Sequence, residues 1–121
     1  MSEMITVRKW VDRAFVQGFQ PVVSVFIRIE SVQRVDRLRV YEEIPSQARV
    51  IDYGRFTPTS GSRNILEAQL ANIESIVLKY VLQFTAGFDG WLEPTRVYVG
   101  TYELTSDRPR LTVKVTQPAF M

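Results

Sequence analysis

Neither cysteine nor histidine occurs among the 121 residues. Without cysteine there is no disulfide framework, no thiol nucleophile and no thiolate metal site. Without histidine the commonest general base and most zinc sites are missing as well. Long apolar runs are also lacking. The most apolar segment, from Ile65 to Phe84, is interrupted by Glu67, Glu74 and Lys79, which argues against a membrane span. The N-terminal MSEMITVRKWVDRAF mixes acids and bases into its apolar residues, unlike a secretory signal. The expected location is therefore cytoplasmic.

Charge of one sign is scarce too. Fifteen Lys and Arg face thirteen Asp and Glu, and the pI of 9.2 owes something to the absence of histidine. The basic excess lies in residues 1–63, with ten bases to seven acids, against five to six in 64–121. What remains for catalysis is carboxylate or Ser-Lys chemistry. Glu42 and Glu43 are neighbours in a strand-like run and point to opposite faces. Asp36, Asp52, Asp89 and Glu93 read as turn and surface residues. Gly54 to Ser62 lacks the ending of a phosphate loop, and Asp89-Gly90 opens no calcium-loop pattern. The expectation is a protein that is not an enzyme and binds no cofactor, metal or small-molecule substrate.

The patterns that are present suggest one domain, residues 1–121. From Thr6 to Gln17, Val7, Val11, Ala14 and Phe15 form a helical stripe, and Gly18 offers a stop. Val22 to Ser31 and Arg37 to Glu43 alternate with period two, joined by a short polar link that predicts an antiparallel hairpin. Ala48 to Tyr53 adds a third strand. RFTPTSGS, Arg55 to Ser62, reads as a mobile loop that orders on assembly. Ser62 or Asn64 then caps a long helix ending by Gly87, too broadly apolar for one buried side. Arg96 to Leu104 and Arg110 to Gln117 complete the strands. The predicted fold class is α+β: a two-layer sandwich of a mainly antiparallel sheet of about five strands, with two helices on one face, in the order α-βββ-α-ββ. That order is similar to small phage tail-completion domains, and the resemblance implies a virion structural component such as a tail or neck protein.

Alternation places Val23, Val25, Ile27, Ile29, Leu38, Val40, Val97, Val99, Leu111, Val113 and Val115 against the core. It leaves Phe26, Arg28, Glu30, Arg37, Arg39, Tyr41, Arg96, Tyr98, Tyr102 and Lys114 outward. Three readings of that face compete: a solvated surface, a protein interface and a nucleic-acid platform. The leading one is a non-enzymatic assembly subunit packing with copies of itself or with other proteins. Its contacts would be Phe26, Tyr41, Tyr98 and Tyr102 on the sheet, Leu78 and Leu82 on the long helix, and Phe120 and Met121 in the apolar tail. The alternative is a single-stranded nucleic-acid binder, with Phe26, Tyr41 and Tyr98 stacking on bases and Arg28, Arg37, Arg39, Arg96 and Lys114 on phosphates. Trp91 is expected to close one end of the core.

Overall fold

The computed structural model describes residues 5–117, and these contain strands and no helix. The predicted α+β class is thus corrected to all-β. The likeness in element order to tail-completion domains, which needed the two helices, goes with them. Ten strands form: β1 (Ile5–Val11), β2 (Phe15–Gly18), β3 (Val22–Glu43), β4 (Ala48–Asp52), β5 (Thr57–Thr59), β6 (Ser62–Phe84), β7 (Phe88–Trp91), β8 (Arg96–Val99), β9 (Tyr102–Thr105) and β10 (Arg110–Val115).

The first expected helix is β1 and β2. Its stripe was compatible with alternation as well: Ile5, Val7 and Val11 turn toward the core while Thr6, Arg8 and Trp10 face out. The inward residue that hid this alternation is Lys9, a charged side chain at a core position. The long expected helix is β6. Its even-numbered residues Leu66, Ala68, Leu70, Leu78, Tyr80, Leu82 and Phe84 are all buried, a period of two. Several of them also fall at helical spacing, and the Leu, Ala, Glu and Gln content favours helix locally. Burial of a whole strand face outweighed that preference.

The expected hairpin is instead one strand, β3, and its partner along nearly its whole length is β6. The register shifts between Glu30 and Val35, where Ser31 to Arg34 stand opposite Glu74. Three extra residues reverse the parity of β3, so odd positions 23–29 and even positions 38–42 point inward. Beside the bulge, Asn72 takes a left-handed φ of 56°. The Arg34 guanidinium donates to the Asn72 carbonyl at 3.3 Å and pairs with the Glu74 carboxylate at 2.7 Å.

Here the ribbon folds back on itself. At about 3.3 Å per residue, Ile27 and Glu42 would be about 50 Å apart in a straight strand. Yet Lys9, in register with Ile27, reaches the Glu42 carboxylate with its Nζ 2.7 Å from Oε1. The same closure brings Phe56, which precedes β5, edge-on to Tyr80 with ring centroids 5.5 Å apart. Two leaves result. The first is β1, the early half of β3, the late half of β6, and β4; the second is β9, β8, the late half of β3, the early half of β6, and β5. Their inner faces meet in one apolar cluster, so the sheet's core face is covered by the other half of the same folded sheet rather than by helices. A three-stranded sheet in the order β2-β10-β7 adds Val16, Leu111 and Val113 to that cluster.

Alternation within the strands was legible: of the eleven residues assigned to the core, nine are buried, and Val99 and Val115 are half-buried. The expected mobile loop Arg55–Ser62 contains β5 and anchors Phe56 in the core at 2% exposure. Trp91 does not close the core; it is 55% exposed on β7.

Candidate functional site

Two groupings of chemistry-bearing residues stand out. One is buried between the leaves. The Lys9 ammonium pairs with Glu42 and donates to the Glu93 carbonyl at 2.6 Å. The Glu42 carboxylate also accepts the Tyr80 hydroxyl at 2.6 Å and the Thr95 hydroxyl. Thr95 N donates to Ser106 Oγ at 2.9 Å, and the Lys9 N–H donates to the Asp107 carboxylate, also at 2.9 Å. Burial, reinforced by the Glu42 charge and hydrogen bond, raises the Tyr80 hydroxyl well above its ordinary pKa. Every buried side-chain polar atom among the described residues has a partner. The recess touching Glu42 holds about 50 Å³, far below a substrate pocket of about 300–1,000 Å³. This network joins β1, β3, β6 and the Glu93–Thr95 segment, and its role is structural.

The other grouping lies on the outer face of the second leaf. Cross-strand register sets Glu103, Tyr98, Arg39 and Gln69 in one row and Thr105, Arg96, Tyr41 and Glu67 in the next. The Arg39 guanidinium lies 5.5 Å from the Tyr98 ring centre and 6.0 Å from that of Tyr41. The two rings meet edge to face at 5.5 Å. Each hydroxyl is tied down: Tyr41 donates to Glu67 at 3.0 Å and Tyr98 to Glu103 at 2.7 Å. The Glu103 hydrogen bond is the main cause that raises the Tyr98 pKa. Arg37 and Arg96 stand exposed beside them, with no carboxylate at ion-pair distance among the described residues. Two open clefts flank the cluster, about 520 Å³ along Arg37, Arg39, Ala71 and Gly100, and about 410 Å³ along Tyr41, Thr59, Ile65 and Arg96. Tyr98 borders both.

The single face expected from alternation is divided by the folded ribbon. Arg37, Arg39, Tyr41, Arg96 and Tyr98 are together. Phe26 and Arg28 are on the outer face of the first leaf, on the other side of the molecule. Lys114 is on the three-stranded sheet, its ammonium 5.7 Å from the Phe15 ring centre. Tyr102 is exposed but in register with Val99, on the opposite face of the β8–β9 hairpin from Tyr98. Leu78 and Leu82 are buried at 1% and 0% exposure and present no surface to a partner; the expected helix would have turned them outward, and the strand turns them in. Phe120 and Met121 lie outside the described residues. Sequence reasoning missed the structural role of Lys9 and Glu42. A lone lysine in an otherwise apolar alternation was the available signal.

Similar folds occur among solved structures, including two that span most of the chain. A non-cellulosomal cohesin from the hyperthermophilic archaeon Archaeoglobus fulgidus has a TM-score of 0.56 at 13% identity, covering 89% of this chain and 91% of its own. The cupredoxin domain of amoB from Nitrosocaldus yellowstonii has a TM-score of 0.55 at 11% identity, covering 98% and 94%. At such identities the likeness is one of fold. A cupredoxin copper site uses histidine and cysteine ligands, and this chain has neither, so its residues do not fit that metal. No family model matches the sequence, and no curated protein does. The described residues form an all-β fold that resembles the cohesin and cupredoxin β-sandwiches.

Proposed function

We propose that the chain is a non-enzymatic structural subunit that assembles with copies of itself, or with other proteins of a complex, through the outer face of the second leaf. The observation that carries this reading is the Arg39 guanidinium held between Tyr41 and Tyr98 on an exposed sheet face. Tyr and Arg are the residues that most often anchor protein interfaces, and these are already fixed in place, which lowers the entropy cost of binding. The face also mixes signs. Arg37 and Arg96 lie free beside Glu67 and Glu103, so a two-fold contact can set the arginines of one copy against the carboxylates of the other. The fold likeness to a cohesin is in keeping with a protein partner.

The same geometry disfavours the nucleic-acid alternative. Bases need open ring faces. Here the Arg39 guanidinium lies over both rings, the edge of one ring meets the face of the other, and Glu67 and Glu103 add negative charge beside them. Light scattering after size exclusion tests the reading. Mass should rise with concentration for the native chain and remain monomeric for Arg39→Glu with Tyr98→Ala. A monomer that binds a single-stranded oligonucleotide through Arg39 would refute it.

A further inference from the structure

The outer face of the first leaf has a different charge balance. Arg8 on β1 stands directly opposite Arg28 on β3, and Lys79 on β6 stands opposite Phe26 one row away. Like charges placed directly across a strand pair oppose the pairing. Arg28 has a half-exposed partner in Glu30 at 3.2 Å, whereas Arg8 has no ion-pair partner among the described residues. Along the same rows Trp10 and Phe26 stack with centroids 5.5 Å apart at 11°. Trp10 is 40% exposed, and Val77, opposite Arg28, is 52% exposed. The acids here are Glu30, Glu74 at the bulge, which pairs with Arg34, Asp12, which continues β1 opposite Ser24, and, at the β4 edge, Asp52, which is engaged by the Gly54 N–H. Unlike the second leaf, this face does not complement itself.

We infer that it is a second binding surface, taking an acidic, partly apolar segment of another protein. Its carboxylates would meet Arg8, Arg28 and Lys79, and its apolar residues would lie along Trp10 and Val77. Protein is favoured over nucleic acid because Phe26 has both ring faces occupied, one by Trp10 and one by the Lys79 ammonium 5.7 Å from its centre. Since the two leaves face outward in opposite directions, the chain then bridges: one side joins the assembly and the other carries the acidic partner. The bridging role rests on the function proposed above, but the surface itself does not.

Calorimetric titration with a poly-glutamate peptide, and in parallel with an oligothymidylate of matched charge, tests the inference. The peptide should bind, weaken with salt, and lose about tenfold in affinity in each of Arg8→Glu and Lys79→Glu, while Arg39→Glu leaves it unchanged. Arg8→Glu should also raise the thermal midpoint of the free chain, because it replaces a repulsive cross-strand pair with an attractive one; this shows the variant folds. Unchanged peptide affinity in both first-leaf variants would overturn the inference. So would oligothymidylate binding through Arg8 and Lys79 in place of the peptide. Loss of self-association in Arg39→Glu is a separate readout and bears only on the second leaf.

Discussion

Lys9 and Glu42 face each other at 2.7 Å with neither side chain exposed, joining β1 to the late half of β3, which a straight ribbon would hold far apart. Desolvating both ions is expensive, and the pair is sustained by hydrogen bonds from Tyr80 and Thr95 and by the Glu93 carbonyl. Lys9→Met leaves the Glu42 charge buried without its counter-ion and should cost about 3–5 kcal/mol. That is a large share of a typical stability of about 5–15 kcal/mol. Adding Glu42→Gln removes the stranded charge while keeping an acceptor for Tyr80, so the double variant should be more stable than Lys9→Met alone. Urea unfolding of the native chain, the two single variants and the double variant measures this. Simple additivity of the two losses would show that the pair is not coupled.

Gly54 adopts φ +58°, and a Cβ there would lie 2.1 Å from the Lys79 carbonyl oxygen. The obstacle is backbone in a central strand, which cannot rotate aside. Gly54→Ala should therefore destabilise by about 2 kcal/mol or more, combining left-handed strain with the clash. Gly61, also left-handed but with open space around it, should tolerate alanine at about 1 kcal/mol. Thermal unfolding of the two variants gives the comparison, and equal losses would contradict it.

Stability should fall in alkali. The folded Tyr80 keeps its proton above the pH at which an unfolded tyrosine, near pKa about 10, releases it. Above about pH 10 the unfolded chain therefore holds fewer protons than the folded one, and stability declines as pH rises. It is fully present below that pH and is lost progressively toward the folded pKa. Tyr80→Phe should lower the neutral plateau by about 1–2 kcal/mol through the lost hydrogen bond to Glu42, yet make the alkaline decline shallower. Denaturant midpoints from pH 7 to 11 would register both effects.

Core residues were legible where burial alone sets the pattern. Val23 to Ile29, Leu38 and Val40 alternate without interruption, and period two needs no knowledge of what covers the face. The class was misread where two periodicities coincided. Leu66, Leu70, Tyr80 and Phe84 sit both on a helical stripe and on the even face of β6, and local propensity pointed to the wrong one. The division of the Tyr/Arg face was invisible because it depends on a three-residue bulge and on Asn72, which reverse the ribbon. Arg39, Tyr41, Arg96 and Tyr98 were nevertheless picked out, since each is outward by simple alternation on β3 or β8. Lys9 was passed over because a lysine at a core position acquires meaning only with Glu42, distant in sequence and brought close by the fold.

Surface variants on the second leaf should separate association from folding. Arg39 is exposed, and its contacts with Tyr41 and Tyr98 are each worth about 0.5–1 kcal/mol. Arg39→Glu should therefore lower stability by about 1–2 kcal/mol, a shift of several degrees in the thermal midpoint that still leaves the chain folded. In the proposed assembly it would set a carboxylate against the Glu67 and Glu103 of a neighbouring copy.

The most direct measurement is the solution mass of the native chain and of Arg39→Glu over a wide concentration range, with and without a single-stranded oligonucleotide. The proposed function predicts concentration-dependent assembly of the native chain, indifferent to the oligonucleotide and lost in Arg39→Glu. A native chain that stays monomeric at every concentration, and gains mass only with the oligonucleotide through Arg39, would contradict it.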